Sequence, residues 1–197
     1  QTISQVAKAL RRSVQYVDSR LMVGLMPDYM QAYIKTGELK LGAALALVQI
    51  TDDARRHVWV DMAARDGVKL QMPVIMPGDV VLGKIASVHE TTADVMLIAD
   101  SENKVSAKTV SEKASGVLGG ARGGALLLDL IEKSAELAVD ELVVTSGLDG
   151  VYPRGLIIGT VIKVITEEEG IFQQAHLRPA YAAALPATVF VITGERE

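Results

Sequence analysis

Apolar residues at Ile3, Val6, Leu10, Val14, Val17, Leu21 and Leu25 follow one another at steps of three and four, the spacing that keeps them on one face of a helix. Lys8, Arg11, Arg12 and Arg20 fall mainly off that face. The stripe predicts an amphipathic helix that ends or restarts at Pro27, because the proline ring removes a backbone donor and crowds the preceding turn. A restart is expected over residues 27–35, closed by Gly37. Two uses fit such a stripe: packing on the helix's own domain, or pairing with a second copy, since the a/d-like spacing lasts about three heptads.

From Ala44 onward the period changes. The runs LALVQI, HVWVDM, VVLGKIASV, ADVMLIAD and KVSAKTV are short, rich in Val and Ile, and separated by Gly, Pro, Asp or Asn. That is the spacing of an all-β sandwich or barrel. Alternation is clearest at Val58 and Val60 and over residues 85–88. Residues 124–140, GALLLDLIEKSAELAVD, are ambiguous. Summed propensity favours a helix there, and a strand over residues 126–131 followed by a loop is the alternative.

Two stretches can be superposed at a constant offset. Pro77, Val80, Val81, Leu82, Gly83, Ile85 and Val88 match Pro153, Leu156, Ile157, Ile158, Gly159, Val161 and Val164 in character. Each follows an Asp-Gly-Val, at residues 66–68 and 149–151. Asp-Gly supplies the positive φ of tight turns, and Pro suits a strand entrance that needs no ladder donor. Gly83 and Gly159 inside strand runs predict bulges, bends or close backbone approach, the corners by which a small barrel closes. The echo favours two related β-units over a chance likeness of hairpins.

With 49% hydrophobic residues in 197, the chain can bury a substantial core. A net charge of −4, with cations scattered among carboxylates, lacks the basic stripe of a nucleic-acid binder. No apolar run approaches the roughly 18–20 residues needed to cross a bilayer, and the first residues carry no cleavable h-region, so the chain as given is expected to be soluble. Its opening Gln predicts a further segment upstream. The absence of cysteine removes disulfide frameworks, thiol nucleophiles and thiolate metal sites.

Candidate chemistry is thin. Ser146 is the tempting hydrolase nucleophile, with His57, His89 or His176 as base and Asp100 to orient it. The nucleophile elbow G-x-S-x-G is absent, and a serine between Thr and Gly at a strand end reads as a turn residue bonding its own backbone. The three histidines lack zinc-binding spacing. GGARGGA at residues 119–125 lacks the Lys-Ser/Thr ending of a phosphate loop and reads as a flexible turn. The glutamates at 167–169 read as a solvated hairpin tip. Aromatic residues are few and dispersed, which disfavours a glycan-stacking module. No catalytic, cofactor-binding or metal-ligating residue is assigned, and no cofactor is expected.

The stretch DELVVTSGLDGVYPRGLIIGTVIKV, residues 140–164, resembles the signature of the rod shape-determining protein MreC family. That family carries Gly-Asp-x-Val-Val-Thr-Ser-Gly-Leu, then Gly-x-Phe-Pro-x-Gly-Leu, then Ile-Gly-x-Val. The matching positions are Val143, Val144, Thr145, Ser146, Gly147, Leu148, Gly150, Pro153, Gly155, Leu156, Ile158, Gly159 and Val161. RDGVKLQMPVIMPGDVVLGKIASV, VMLIADSENKVSAKTV and SGVLGG extend the resemblance over about residues 48–193. Three positions depart from the pattern: Glu141 where a Gly-Asp pair is completed, Tyr152 for Phe, and Gln71 for a Gly before Met72.

The resemblance implies a mainly β fold: an N-terminal helical dimerisation segment (1–43), then two small β-barrels like those of chymotrypsin-type proteases but without a catalytic triad. The first barrel would span 44–113, with 175–197 as a candidate returning segment, and the second 114–174. Residues 126–131 would be a strand, and Val6, Leu10, Val14, Val17 and Leu21 would line the dimer. Thr145, Ser146, Gly147, Leu148, Gly150, Pro153, Gly155 and Gly159 would be structural. It also implies a non-enzymatic scaffold of bacterial cell-wall elongation, in the periplasm or at the outer face of the cell membrane, held by an N-terminal anchor absent from this chain. Its implied partners are a class B penicillin-binding protein, a peptidoglycan transpeptidase that it activates, and other rod-complex membrane proteins. A homodimer is implied, with dimer or filament left open, and no nucleic acid. A serine hydrolase and a small-ligand or polysaccharide-binding β-module are the rival functions.

Overall fold

A computed structural model describes residues 39–43, 48–50, 56–62, 64–121, 125–166, 170–181 and 188–193. The expected helix over 1–35 and its dimer-lining residues lie outside the described residues; of the helical segment expected over 1–43, residues 39–43 form a strand instead, because they pair with Thr188–Ile192. Within them the chain is built from strands: β1 (Leu39–Ala43), β2 (Val48–Ile50), β3 (Arg56–Val60), β4 (Pro73–Met76), β5 (Val80–Val88), β6 (Ala93–Leu97) and β7 (Val105–Thr109). There follow β8 (Ser115–Gly120), β9 (Leu126–Glu132), β10 (Leu142–Thr145), β11 (Ile157–Thr166), β12 (Phe172–Pro179) and β13 (Thr188–Ile192). One short 3₁₀ turn, Ala64–Asp66, interrupts them. The ambiguous stretch resolves to a strand, β9, whose burial alternates from Leu126 to Leu128. Cross-strand pairing with β8 and β12 outweighs its helix propensity.

Six strands close on themselves. β7, β8, β9, β12, β11 and β10 each pair with the next, and β10 returns to β7, so this barrel exposes no edge within its ladder. The other strands form a first sheet in the order β1-β13-β4-β5-β6-β3-β2, and among the described residues its pairings run as an open path. A single parallel bridge, Val80 to Ile157, joins the two systems where β5 and β11 begin, and the Asp79 carbonyl accepts the Ile157 N–H at 2.8 Å.

The boundary expected between residues 113 and 114 therefore needs correction. β7 and β12 belong to the closed barrel, because their partners are β10, β8, β9 and β11; the change of unit falls between β6 and β7. Of the returning run, residues 172–179 stay in the barrel, and only Thr188–Ile192 crosses back, between β1 and β4.

The echoed segments are β5 and β11, and the structure repeats their irregularities. Leu82 is extra where Val74 faces Gly83 and Ile75 faces Val81; Ile158 is extra where Val143 faces Gly159 and Val144 faces Ile157. A second register shift leaves out Ala86 in one unit and Ile162 in the other. A Cβ on Gly83 would sit 2.1 Å from the Met96 carbonyl oxygen, and one on Gly159 2.2 Å from that of Arg178. Both glycines are thus required by close passage of a neighbouring backbone beside a bulge.

Two cores result. Val58, Val60, Leu82, Ile85, Val95 and Val191 fill the first sheet; Leu118, Leu126, Leu128, Ile158, Val161 and Leu177 fill the barrel. Strands β4, β5 and β13 serve both: Val74, Leu82, Val189 and Val191 face the first core, while Ile75, Val81 and Phe190 pack with the barrel core. Burial on both faces explains why these strands read as unbroken apolar runs instead of alternating.

Candidate functional site: the signature loop and its anchors

The signature residues form the connection between β10 and β11, and its polar groups are turned inward to fix it. Thr145 is buried; its hydroxyl donates to the Pro153 carbonyl and accepts the Leu156 N–H at 2.9 Å, while its backbone N–H reaches the Leu156 carbonyl at 2.9 Å. Asp149 caps the turn: Oδ1 accepts from the N–H groups of Val151 (2.7 Å) and Tyr152 (3.0 Å), and Oδ2 accepts from Ser106 N–H at 2.9 Å. Gly147, Gly150 and Gly155 hold φ of 83°, 68° and 93°, the left-handed region that penalises any side chain. The chain thereby crosses between strands in a closed, hydrogen-bonded loop.

Tyr152 rivets that loop to the junction of the two units. Its ring is fully buried and its hydroxyl donates to Asn103 Oδ1 at 3.3 Å. Asn103, also fully buried, donates through its amide to the carbonyls of Met96 (3.2 Å) and Leu97 (3.1 Å) at the end of β6. Burial pushes the Tyr152 phenol well above its ordinary range. The Tyr that replaces Phe in the family pattern thus adds a polar link which Phe could not make. Gln71 and Asp140, the latter just before Glu141, both hold φ in the left-handed region, 65° and 69°. The chain keeps a glycine-like backbone at the Gln71 departure and, at Asp140, beside the Glu141 departure, and carries the strain.

The loop displays an apolar side chain, Leu148, as well as the charged Arg154. Leu148, at its tip, is 84% exposed although the residues on either side are tied down. Lys108 on β7 and Arg154 within the loop both pair with Glu112, whose carboxyl they hold below its ordinary range.

The hydrolase candidates are not brought together. Ser146 donates its N–H to the Ser106 carbonyl, and its hydroxyl accepts the Leu148 N–H at 3.3 Å, which is the turn role its neighbours predict. Among the described residues no imidazole contacts it. His57 sits on β3 with Nδ1 2.7 Å from Asp94 Oδ2 and Nε2 3.5 Å from Asp100 Oδ2. Asp100, fully buried, therefore faces His57 and not Ser146. His176 lies on β12. A hydroxyl–imidazole pair that the sequence does not signal is Ser87 with His89, 3.0 Å apart, His89 lying against Trp59 at 4.9 Å between centroids. The nearby Asp94 carboxylate is engaged by His57, so this pair does not repeat a serine–histidine–aspartate order. The His57–Asp94 and His89–Trp59 contacts arise from the pairing of β3, β5 and β6, which no local spacing encodes, whereas Ser87 and His89 stand two residues apart along one segment. Among the described residues no group of three or more His, Asp or Glu side chains is placed to hold a metal, and no helix is long and apolar enough to cross a membrane.

Comparison with known proteins places this architecture. Residues 48–193 match the family model described as rod shape-determining protein MreC, barrel core. The cell shape-determining protein MreC of Listeria monocytogenes is 36% identical over 128 residues, 62% of this chain and 43% of that protein. The chain thus spans less than half of that relative's length, and about half (51%) of its Bacillus subtilis counterpart. A solved structure of Listeria MreC superposes with a TM-score of 0.71 at 26% identity, covering 86% of this chain and 87% of that one. A complex between a penicillin-binding protein and MreC from Helicobacter pylori contains a chain with the same fold, at a TM-score of 0.63 and 17% identity, covering 79% of this chain and 98% of that one.

Proposed function

The chain belongs to the rod shape-determining protein MreC family, and from that premise we propose that it is a non-enzymatic scaffold of cell-wall elongation outside the cytoplasmic membrane. Its barrels bind a class B penicillin-binding protein, a peptidoglycan transpeptidase, and other membrane proteins of the rod complex. The first sheet closes into a second barrel, an anchor upstream of Gln1 tethers the chain to the membrane, and the segment preceding β1 dimerises along Val6, Leu10, Val14, Val17 and Leu21. Activation follows from population shift: the scaffold favours one conformation of the transpeptidase by the difference between its affinities for the two. The complex known for the Helicobacter pylori relative supports the choice of partner.

The observation that carries this reading is the signature loop. Its Thr145, Ser146 and Asp149 side chains are spent on fixing the loop, no imidazole contacts Ser146 among the described residues, and the large apolar side chain it offers to solvent is Leu148. A preorganised apolar anchor loses little entropy on docking. The test is the affinity of the chain for the extracytoplasmic region of its host's class B penicillin-binding protein. Binding is expected, weakened about tenfold or more by Leu148→Asp and unchanged by Ser146→Ala. No binding, or labelling of Ser146 by a fluorophosphonate probe, would overturn the reading. For the dimer, Leu10→Asp with Val17→Asp is expected to give monomers in sedimentation, since unpaired charge at a buried seam costs several kcal/mol; an unchanged dimer would move the interface to the barrels.

A further inference from the structure

The barrel carries an open groove of about 680 Å³ between the turn after β7, whose Glu112 pairs with Arg154 of the signature loop, and the loop 133–141 that leads into β10. Its walls are braced across the gap. Lys113 pairs with Glu136, the Ser111 hydroxyl donates to Glu141, and Glu141 also accepts the Ala138 N–H at 3.3 Å. The groove is thus held open by its own side chains. Leu137 and Val139 line it, Val139 is 55% exposed, and Val110 (56%) and Leu142 (36%) flank it, tied to each other by the Val110 N–H on the Leu142 carbonyl.

Charge selects the occupant. Three carboxylates, Glu136, Asp140 and Glu141, line the groove with a single ammonium, Lys113, which Glu136 already neutralises. We propose that this groove is a docking site for an extended, cationic–apolar segment of a partner protein, with Lys or Arg side chains on the Asp140–Glu141 rim and an aliphatic side chain over Val139. The inference deepens the scaffold reading and rests on it for the identity of the partner, but not for its chemistry.

The probe is a short synthetic peptide alternating Lys with Leu, compared with one alternating Glu with Leu. Titration followed by amide chemical shifts is expected to move Ser111, Ala138, Val139 and Leu142 with the Lys peptide and leave them in place with the Glu peptide. Asp140→Asn, which keeps a residue tolerant of the left-handed backbone, combined with Glu141→Gln, whose amide oxygen still accepts a hydrogen bond, is expected to weaken the Lys peptide about tenfold with an unchanged thermal midpoint. Asp140→Asn alone is the fallback should the pair disturb the loop. Shifts centred elsewhere, an equal response to both peptides, or indifference to these variants would overturn the proposal. Binding of the penicillin-binding protein region is measured in parallel. Retained binding of that region with no peptide selectivity discards the groove alone; selectivity without that binding discards the wall-synthesis reading alone.

Discussion

The first sheet and the closed barrel are built from the same central motif, yet they depend on the chain in different ways. Both carry a strand with two register shifts at equivalent positions and a glycine pressed against a neighbouring carbonyl. The barrel draws all six strands from residues 105–179. In the first sheet Leu39 faces Ile192, so β1 and β4 are held together by a strand from the far end of the chain. The same local geometry therefore rests on nearby pairings in one unit and on a long loop closure in the other, and the closure entropy differs accordingly. The shared wall of β4, β5 and β13 keeps the more demanding unit from being an independent body.

Phe190 is the sharpest point at which to break that comparison, since it belongs by pairing to the first sheet and by packing to the barrel core. Phe190→Ala should cost about 3–5 kcal/mol in denaturant unfolding. It should also reduce amide protection in both units; loss confined to β1, β4 and β13 would mean that the cores are energetically separate. Gly83→Ala and Gly159→Ala come next. Each puts a methyl group against backbone on a bulged strand, with an expected cost of about 3 kcal/mol or more apiece. Similar losses support an equivalent role in the two units, and a loss below about 1 kcal/mol in either breaks the equivalence.

Tyr152→Phe sharpens the link between the units. Removing the hydroxyl leaves Asn103 short of a partner in a dry site, at a cost of about 1–2 kcal/mol. The pH dependence has a definite sign. Burial raises the folded-state pKa of Tyr152, so its contribution is intact below the unfolded phenol value of about 10 and falls as pH rises above it, where only the unfolded chain ionises. Urea midpoints should decline in this alkaline window less steeply for Tyr152→Phe than for the parent; identical slopes would refute the buried rivet. The smallest effects are expected from relief of strain. Gln71→Gly in the first sheet and Asp140→Gly in the barrel exchange left-handed strain for backbone entropy, a net gain of up to about 1 kcal/mol each. Destabilisation in either would show that its side chain repays the strain.

Much of this was legible in residue patterns because it is local. The strand runs, the turn role of Ser146 and the crowding at Gly83 and Gly159 follow from β-branched content, neighbouring residue types and glycine inside apolar stretches. The division between units was not, because Val105–Thr109 reads as one more strand following β6, and only its pairing with β10 and β8 assigns it to the barrel. Residues 126–131 needed the family resemblance, since their propensity points toward helix and tertiary pairing decides. The contact of His57 with Asp94 and the left-handed backbone of Leu130 had no signal at all: one is a cross-strand meeting and the other a register shift opposite β12. In the candidate site, the glycines and the proline could be found from sequence, whereas the Tyr152–Asn103 rivet and the acidic groove exist only once distant loops are brought together.

The most direct test of the scaffold account is the rate at which the host's class B penicillin-binding protein is acylated by a fluorescent β-lactam, with and without this chain. A saturable acceleration, lost with Leu148→Asp while the fold is retained, is the result the account predicts. An acylation rate that does not change while the two proteins are bound would contradict it.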